Sequence, residues 1–476
     1  MSHILVTGAN GFIGSHLVRL LLALKEKENW EEDIVGLIRS TSDLSSLRGL
    51  DVKLVIGDLR DPATLVKAVE KATYVFHLAA ELYTISRQRF LETNTEGTQN
   101  LLKVAAKHAN SSLKRFLFVS SQAAAGPAPD EVPLTEESKP SLPVSWYAES
   151  KVEAEKAVMQ YASDLPVTIV RPCSVYGERD AAFFQAFQGA KLRIHAVTGF
   201  RKRYTGMIYA PDLVEGMVAA ARHPKTVGQT YFLANPENYS VRDVMKTMGK
   251  AVGKPWGLTL PIPIFVFRVI ATLLEVLYLF SRKTPIPTRD KVRELAQIYW
   301  LCSPQKAQED FGWKAKTPLL NGLRATHRFY KEEQLSLKAM PEEPKGILWL
   351  KYLLVSLGLG ILIEGLSAFG KLYVFQPWWL VFVVVLVPWG LIVGSIAMVI
   401  RTRGFLVQYL PGFILLFGAE LLNHYYLHSW EFYGGSLFGI TNPVVRAGVL
   451  GILAGFIIPI INALMKQFYK IKLRLG

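Results

Sequence analysis

Cysteine is nearly absent from this chain, which contains 2 cysteines in 476 residues. Cys173 and Cys302 are far apart in the sequence and lack the spacing of metal ligands, so the pattern predicts neither a disulfide framework nor a zinc site. We therefore expect two reduced thiols in a cytosolic compartment and no bound metal.

Runs of lysine or arginine with interleaved aromatic residues are also lacking, although the formal net charge is +15. Such runs are typical of nucleic-acid-binding proteins, so we expect no nucleic-acid partner and attribute the positive charge to contact with anionic lipid. The first residues, "MSHILVTGANG", lack the basic segment, apolar stretch and cleavage site of a secretory signal. We expect the amino-terminal part of the chain to stay in the cytoplasm.

Hydrophobic residues, by contrast, make up 50% of the chain, and they form long apolar runs after the linker "MPEEPKG" at 340–346. The four runs cover residues 347–368, 378–400, 405–427 and 444–465. Each is long enough to cross roughly 30 Å of hydrocarbon. Most of the flanking lysines and arginines fall on one side, which the positive-inside rule places in the cytoplasm. The pattern predicts a membrane domain over 341–476, a four-helix transmembrane bundle with the amino-terminal domain and both termini cytoplasmic.

The third apolar run contains Glu420 and His424, and His428 follows at its end, so that the three ionisable residues are at helical i, i+4 spacing. Ionisable groups inside a membrane often serve a metal, a proton path or a lipid headgroup. Polar groups also join helices, and Glu364 in the first run is a candidate partner for His424. We favour this structural interpretation and leave the functional one open.

Residues 1–176 alternate short apolar runs with helical patterns, which is typical of βαβ units and a parallel sheet. The predicted strands are "HILVTG", "DIVGLIR", "VKLVIGD", "YVFHLAA", "RFLFVSS" and "VTIVRP". We therefore predict an α/β fold with a Rossmann-type doubly wound parallel sheet in this region. Residues 177–340 are expected to form a smaller substrate-binding lobe. Within it, the apolar run 261–280 is predicted to be an interfacial helix, with a plain core helix as the alternative.

The stretch "TGANGFIG" places Gly8, Gly11 and Gly14 between the first predicted strand and the helix that follows. Glycine is required where the backbone turns sharply and closely approaches a pyrophosphate, and the helix amino terminus supplies N–H groups to the phosphates. In this context of strand, loop and helix, the spacing predicts a dinucleotide site.

The second predicted strand ends in "GLIRSTSD", where an NAD site usually has an acidic residue that binds the ribose. Arg39 and Ser40 stand there instead and suit a 2'-phosphate, so NADP(H) is favoured over NAD(H). Asp43 comes late for the ribose role, which we leave open. Asp58, after the third predicted strand, is expected to meet the adenine edge.

A tyrosine and a lysine lie four residues apart in "YAESK", so that Tyr147 and Lys151 share one face of a helix. Tyrosine has an ordinary pKa near 10, and a neighbouring ammonium lowers it by favouring the phenolate. Ser121 ends the fifth predicted strand, where its hydroxyl can hold a reacting oxygen beside the tyrosine. The three side chains predict proton transfer to or from a substrate oxygen.

Together these residues resemble the extended short-chain dehydrogenase/reductase family, in the NAD-dependent epimerase/dehydratase superfamily, over roughly residues 1–335. The motifs that carry the resemblance are "TGANGFIG", "GDLRDP", "HLAA", "NTEGTQNLL", "FVSSQ", "YAESK" and "RPCSVYG". The resemblance implies that Ser121, Tyr147 and Lys151 are the catalytic triad and that Asn94 orders the region between the fourth and fifth strands. The residues expected at the cofactor are Gly8, Gly11, Phe12, Ile13, Gly14, Arg39, Ser40, Asp58, Leu59, Ala79, Ala80, Asn94, Tyr147, Lys151 and Pro172.

Two branches of the family are most similar in sequence pattern, those of dihydroflavonol reductases and of 3β-hydroxysteroid dehydrogenases. They imply hydride transfer to or from a hydroxyl or ketone of a lipophilic substrate such as a sterol, a terpenoid or another lipid. Sugar dehydratases of the superfamily carry an Asp-Glu pair where this chain has Gln122 and Ala123, so dehydration is not expected.

Other functions stay open at this point. An epimerase acting on a nucleotide-linked or lipid-linked sugar would use the same triad, and a non-catalytic cofactor-binding scaffold is the least favoured alternative. By position only, the candidate substrate-facing residues are Glu81, Tyr83, Tyr176 and Arg203. We expect a lipophilic small molecule and membrane lipid as partners, and leave open a homo-oligomer or a second membrane protein.

Overall fold

The computed structural model describes residues 2–109, 112–278 and 287–337. The strands are β1 His3–Thr7, β2 Asp33–Ile38, β3 Lys53–Ile56, β4 Ala72–His77, β5 Arg115–Val119, β6 Val167–Pro172, β7 Ser174–Tyr176, β8 Ile194–Thr198, β9 Tyr204–Tyr209, β10 Gln229–Leu233, β11 Asn238–Ser240, β12 Leu258–Ile262 and β13 Tyr299–Trp300. The α-helices are α1 Phe12–Glu28, α2 Val66–Val69, α3 Arg87–Phe90, α4 Gly97–His108, α5 Gln122–Ala125, α6 Trp146–Gln160, α7 Ala181–Lys191, α8 Ala210–Arg222, α9 Val241–Ala251, α10 Ile264–Tyr278, α11 Arg289–Leu295, α12 Gln305–Phe311 and α13 Leu319–Leu337.

The largest sheet has seven parallel strands in the order β10-β6-β5-β4-β1-β2-β3. All six strands predicted from the sequence are present, so the Rossmann-type sheet is confirmed. The seventh strand, β10, pairs with β6 although it lies beyond residue 176, where the sequence pattern places the boundary of the nucleotide-binding region. Residues up to Leu335 form one compact unit, because the chain returns to the large sheet after leaving it.

Both faces of the central strands of the large sheet are buried, because successive side chains of these strands enter two different apolar clusters. In β1, Ile4 and Val6 pack with residues of α1 and α8, whereas Leu5 packs with residues of α2, α4 and α6. A strand buried on both faces has a continuous apolar sequence rather than an alternating one, which is why these strands are easily recognised.

The strand register brings the carboxyl ends of the central strands to one edge of the sheet. Thr7 of β1 lies beside His77 of β4, and His77 lies beside Phe118 of β5. Val119 in turn lies beside Val170 of β6. In parallel α/β sheets ligands bind outside this edge, so the fold assembles the predicted motifs at one place.

The predicted interfacial helix over 261–280 is α10, which is preceded directly by β12. Its described side chains include exposed apolar residues, among them Phe265 at 57% and Val269 at 53% exposure. Glu275 is buried and accepts hydrogen bonds from the backbone N–H and the Nε of Arg289. Hydrogen bonds between Glu275 and Arg289 thus hold one side of α10, and another side of the helix exposes apolar side chains.

Within residues 2–109, 112–278 and 287–337, no helix combines the length and the apolar character needed to cross a membrane. The linker and the four predicted spans at 347–368, 378–400, 405–427 and 444–465 lie outside the described residues. So do Glu364, Glu420, His424 and His428.

The central strand β5 provides a test of the core. Leu117 is 0% exposed, whereas Leu142 on a loop is 87% exposed. We expect Leu117→Ala to lower the free energy of unfolding by about 2–5 kcal/mol, because it removes buried methyl groups and leaves a cavity. The thermal unfolding midpoint of the full-length protein measures this, with Leu142→Ala as the matched control that stays near the wild-type value. Equal midpoints for the two variants would contradict the described packing.

Candidate active site

The glycine turn after β1 brings the backbone close to the loop that follows β4. Gly8 has φ of +68°, and a Cβ added there would lie 2.9 Å from the backbone nitrogen of Ala79. A Cβ on Gly14 would lie 2.1 Å from the carbonyl oxygen of Gly8. Because Gly11 at the N-cap has no side chain, no side-chain hydrogen bond caps the amino terminus of α1. This turn leaves room and N–H groups for a phosphate.

A cavity of about 400 Å³ opens at the carboxyl edge of the large sheet. The residues predicted from the sequence that line it are Gly8, Gly11, Phe12, Ile13, Gly14, Arg39, Asp58, Leu59, Ala79, Ala80, Glu81, Ser121, Tyr147, Lys151 and Pro172. The structure therefore brings together the glycine turn, the end of β2 and the three candidate catalytic side chains. Two predicted cofactor residues do not line this cavity: Ser40, which is exposed, and Asn94, which is buried.

Two of the candidate substrate residues serve the structure of the lobe. Tyr176 is buried, and its ring centroid lies 5.6 Å from that of Tyr209. The guanidinium of Arg203 donates to the carbonyl oxygen of Thr198 at 2.6 Å and so ties down a turn. Neither lines the cavity described above, and their contact with a substrate stays a prediction.

Positive side chains stand at the end of the cavity formed by β2 and β3. Arg39 and Arg60 both line it, and Arg60 was not singled out from the sequence. Asp58 accepts hydrogen bonds from the Nε and Nη2 of Arg60 at 3.0 and 2.6 Å, and these bonds lower the pKa of Asp58 to about 2. Asp43 accepts a hydrogen bond from the backbone N–H of Ser45 in its own turn. Arg39 has no hydrogen-bonded carboxylate among the described residues.

A buried polar network beneath the cavity orders the loop after β4. Thr7 bonds to Nδ1 of His77 at 2.7 Å, and its Oγ1 accepts the backbone N–H groups of Leu78 and Ala79 at 3.1 and 3.0 Å. The other ring nitrogen of His77 bonds to Thr98 at 2.9 Å. Burial, with a smaller contribution from the Lys151 charge, lowers the pKa of His77 to about 3. The ring is therefore neutral at physiological pH and can donate at one nitrogen and accept at the other.

Asn94 connects the loop after β4 to the catalytic helix. It lies in a π-helical segment, Leu91–Glu96, that joins α3 to α4. Its side chain accepts the backbone N–H of Glu81 at 2.7 Å and donates to the carbonyl oxygen of Glu81 and to Oγ of Ser150. This buried amide orders the loop, as the family resemblance implies, rather than lining the cavity.

The three candidate catalytic residues all line this cavity. The Ser121 hydroxyl lies close enough to Tyr147 to lower its pKa, but burial and the charge of Glu294 dominate and raise the pKa of Tyr147 to about 12. Lys151 donates from Nζ to the carbonyl oxygen of Val119 at 2.9 Å. Burial lowers the pKa of Lys151 to about 8, and Glu155 partly offsets this. The charge of Lys291, which lies on α11, also lowers the pKa of Tyr147.

Residues of α11 therefore belong to the surroundings of the site, and the sequence analysis missed them. Asp290 and Glu294 contact the start of α6 from a segment 140 or more residues away in sequence, and Lys291 is bonded to Glu294. The stretch "TRDKVREL" has the charge pattern of any exposed helix. Only the contact between α11 and α6 in the folded chain shows that these charges lie beside the site.

Comparison with known proteins gives a consistent assignment. Residues 4–234 match the NAD dependent epimerase/dehydratase family. The chain is 29% identical over 331 residues to ceramide reductase of Caulobacter vibrioides, which covers 68% of this chain and 93% of that protein. It is 27% identical over 338 residues to UDP-glucose 4-epimerase of Vibrio cholerae, covering 68% and 94%. It is 25% identical over 381 residues to 3beta-hydroxysteroid-dehydrogenase/decarboxylase isoform 1 of Arabidopsis thaliana, covering 74% and 85%.

The fold is also found among solved structures. The dTDP-glucose 4,6-dehydratase DesIV of Streptomyces venezuelae superposes with a TM-score of 0.57 at 22% identity, covering 70% of this chain and 98% of that one. The chain is thus similar to the NAD-dependent epimerase/dehydratase family over residues 4–234. It is an NAD(P)-dependent enzyme of the class that contains oxidoreductases and epimerases.

The Thr7 hydroxyl provides a test of how the cofactor loop is ordered. We expect Thr7→Val to weaken NADPH or NADH binding about 5- to 150-fold, because two N–H groups of the loop lose their acceptor, at a cost of roughly 1–3 kcal/mol. Fluorescence titration of the reduced cofactor measures the dissociation constant. Thr7→Ser keeps the hydroxyl and should bind like the wild type. Normal binding by Thr7→Val would show that the hydroxyl does not order the loop.

Proposed function

We propose that this protein is a membrane-bound, NADPH-dependent oxidoreductase that transfers hydride to or from a hydroxyl or ketone of a lipophilic substrate. The observation that carries the redox part is the convergence of Ser121, Tyr147 and Lys151 in the cavity that the glycine turn also lines. The close backbone approach at Gly8 and Gly14 fits a dinucleotide, since side chains at those positions would fill the space.

The chemistry follows from the positions of these side chains. A bound dinucleotide supplies or accepts the hydride at its nicotinamide ring. In reduction, Tyr147 donates its hydroxyl proton to the substrate oxygen as the carbonyl carbon gains hydride, and in oxidation it removes that proton. Ser121 holds the same oxygen by a hydrogen bond. Lys151, fixed on the Val119 carbonyl, lines the same cavity and would help to hold the bound cofactor.

The preference for NADP(H) is supported by the two arginines at the β2 end. Arg60 is already neutralised by Asp58, whereas Arg39 lines the cavity without such a partner among the described residues. A 2'-phosphate beside Arg39 gains a charge-assisted hydrogen bond. The same position lacks the carboxylate that would favour the two free ribose hydroxyl groups of NAD.

A lipophilic substrate is supported by the apolar surface of the second lobe. Exposed apolar side chains lie on β12 and α10 and just before them, among them Trp256 at 71% and Leu258 at 64% exposure. Such an accumulation on a soluble surface marks contact with lipid or with apolar molecules. The names of two relatives, ceramide reductase and 3beta-hydroxysteroid-dehydrogenase/decarboxylase, point to lipid substrates for those proteins. We favour a sterol or terpenoid over a long-chain acyl compound.

Membrane attachment is supported by the four apolar runs of the carboxyl-terminal region. A lipid that leaves the bilayer for water exposes its hydrocarbon at a cost of roughly 0.8 kcal/mol per CH₂ group. An active site anchored at the interface avoids that transfer. In this proposal the catalytic domain and both termini are cytoplasmic, and membrane lipid is a permanent partner.

The similarity to UDP-glucose 4-epimerase favours a second candidate, an epimerase acting on a nucleotide-linked or lipid-linked sugar. It would use the same three side chains without net oxidation of the cofactor. Retention of tightly bound cofactor through purification, with no net redox reaction, would favour this candidate.

The main experiment is a substrate panel with the detergent-purified full-length protein. Oxidation of NADPH and of NADH is followed against sterol, terpenoid, quinone and β-keto-acyl ketones. We expect turnover with one lipid class, faster with NADPH, and a loss of about 10²- to 10⁴-fold in Tyr147→Phe because the proton donor is removed. Wild-type turnover in Tyr147→Phe, or no turnover with any ketone, would overturn the reductase proposal.

The role of Arg39 has its own test. We expect Arg39→Ala to weaken NADPH binding about 10- to 100-fold and to leave NADH binding nearly unchanged, because it removes the cation beside the 2'-phosphate. Dissociation constants for both cofactors are compared by fluorescence titration. Arg48→Ala removes a nearby exposed arginine outside the cavity and should change neither. Equal losses for both cofactors in Arg39→Ala would contradict the NADP(H) preference.

A further inference from the structure

Helix α11 is docked on the amino terminus of the catalytic helix α6. The carboxylate of Asp290 accepts the backbone N–H of Trp146 at 2.8 Å and that of Tyr147 at 3.3 Å. Ser145, the N-cap of α6, receives the N–H of Ala148 at 3.0 Å. The first-turn N–H groups of α6 are thus satisfied jointly by its own cap and by a carboxylate 144 residues further along the chain.

Glu294 makes the second connection between the two helices. One of its carboxylate oxygens accepts Oγ–H of Ser145 at 2.7 Å, and the other accepts Nζ of Lys291 at 2.5 Å. Its backbone carbonyl accepts the indole N–H of Trp300 at 3.0 Å. Because Glu294 is buried, with 8% of its side chain exposed, it holds Lys291 in one place.

Lys291 is not an ordinary surface lysine. Its side chain is 39% exposed and bonded to a buried carboxylate, whereas the side chain of Lys316 in the pair with Glu215 is 77% exposed. Burial lowers the pKa of Lys291, but the charge and the hydrogen bond of Glu294, together with Tyr83 and Tyr147, outweigh burial, so the net pKa lies above its ordinary value. The ammonium is therefore permanently charged at physiological pH.

The groups that act on the hydroxyl of Tyr147 come from several elements. They are Glu294 and Lys291 on α11, Ser121 after β5 and Tyr83 in the loop after β4, with Lys151 on its own helix bonded to a backbone carbonyl. Glu294 raises the pKa of Tyr147 and Lys291 lowers it. Lys291, Glu294 and Tyr83 do not line the cofactor cavity, whereas Tyr147 does. The ion pair of Lys291 and Glu294 therefore acts on Tyr147 from outside that cavity.

We propose that the Lys291–Glu294 ion pair, held by α11 against the first turn of α6, is a positioning pair that tunes proton transfer by Tyr147. Lys291 stabilises the phenolate form of Tyr147. Glu294 stabilises the protonated form of Tyr147 and holds the side chain of Lys291 in place. This inference rests on the proposed function of Tyr147 as proton donor and acceptor.

The two partners affect Tyr147 in opposite directions, which separates this role from a structural one. Lys291→Gln should move the titration of Tyr147 to higher pH, and Glu294→Gln should move it to lower pH. Each shift should change the reaction rate roughly tenfold at a pH on the basic side of the pH–rate profile. The basic limb of kcat/KM for ketone reduction should follow the same directions, because reduction needs protonated Tyr147. If the ion pair were merely structural, both variants would have lower rates, but the basic limbs of their pH–rate profiles would not shift in opposite directions.

A substrate-independent measurement accompanies the kinetics. The full-length protein carrying ¹³Cζ-labelled tyrosine is titrated by NMR in the presence of NADP⁺, and Tyr147→Phe identifies the Tyr147 signal. Opposite displacement of the Tyr147 midpoint in Lys291→Gln and Glu294→Gln supports the proposal even when no ketone is turned over. Failure of the proposed reductase function can therefore be distinguished from failure of this inference. Unchanged midpoints, or displacement in one direction for both variants, would overturn it.

Three further variants complete the test. Lys291→Arg keeps the charge and should retain the wild-type midpoint, and a midpoint like that of Lys291→Gln would overturn an electrostatic role. Lys316→Gln removes a lysine from the exposed pair and should change nothing. If Lys291→Gln fails to fold, as judged by NADPH binding and thermal unfolding, Lys291→Met tests the same loss of charge with an apolar side chain of similar length.

Discussion

The parallel register of the central strands is the constraint on which the site depends. Since Thr7 lies beside His77 and His77 beside Phe118, the loops after β1, β4 and β5 emerge at one edge of the sheet. A slip of one residue would turn the buried side chains of each strand to the opposite face. The two apolar clusters that cover the sheet therefore fix the catalytic geometry as well as the fold.

Buried polar groups then convert this approximate geometry into a defined one. Thr7 and Asn94 each bind backbone groups of the loop after β4, and Asn94 extends to Ser150 on the catalytic helix. Such groups are costly to bury unless they are fully bonded, so each arrangement with a missing bond is disfavoured. Apolar packing positions the elements, and these amide and hydroxyl bonds select the conformation of the loops that meet the ligand.

The sequence identifies local features of the site well and long-range features poorly. The six strands are continuous apolar runs, the glycine turn at Gly8 directly follows the first of them, and Tyr147 and Lys151 lie four residues apart on one helix. The seventh strand β10 was missed because it has only three apolar side chains and lies beyond the apparent boundary. Lys291 and Glu294 were missed because their effect depends on the docking of α11 on α6, which no pattern within either segment records.

Because Asp290 caps α6 from a distant part of the chain, the parts of the active site form in a definite order during synthesis. The cofactor turn is complete within the first hundred residues, whereas the catalytic helix lacks its distant carboxylate until residue 290 has been synthesised and docked. Contacts between residues so far apart close late, since the chain between them must first be ordered. The nascent chain can thus form its glycine turn well before it completes the cap of the catalytic helix, so the two parts of the active site mature at different times.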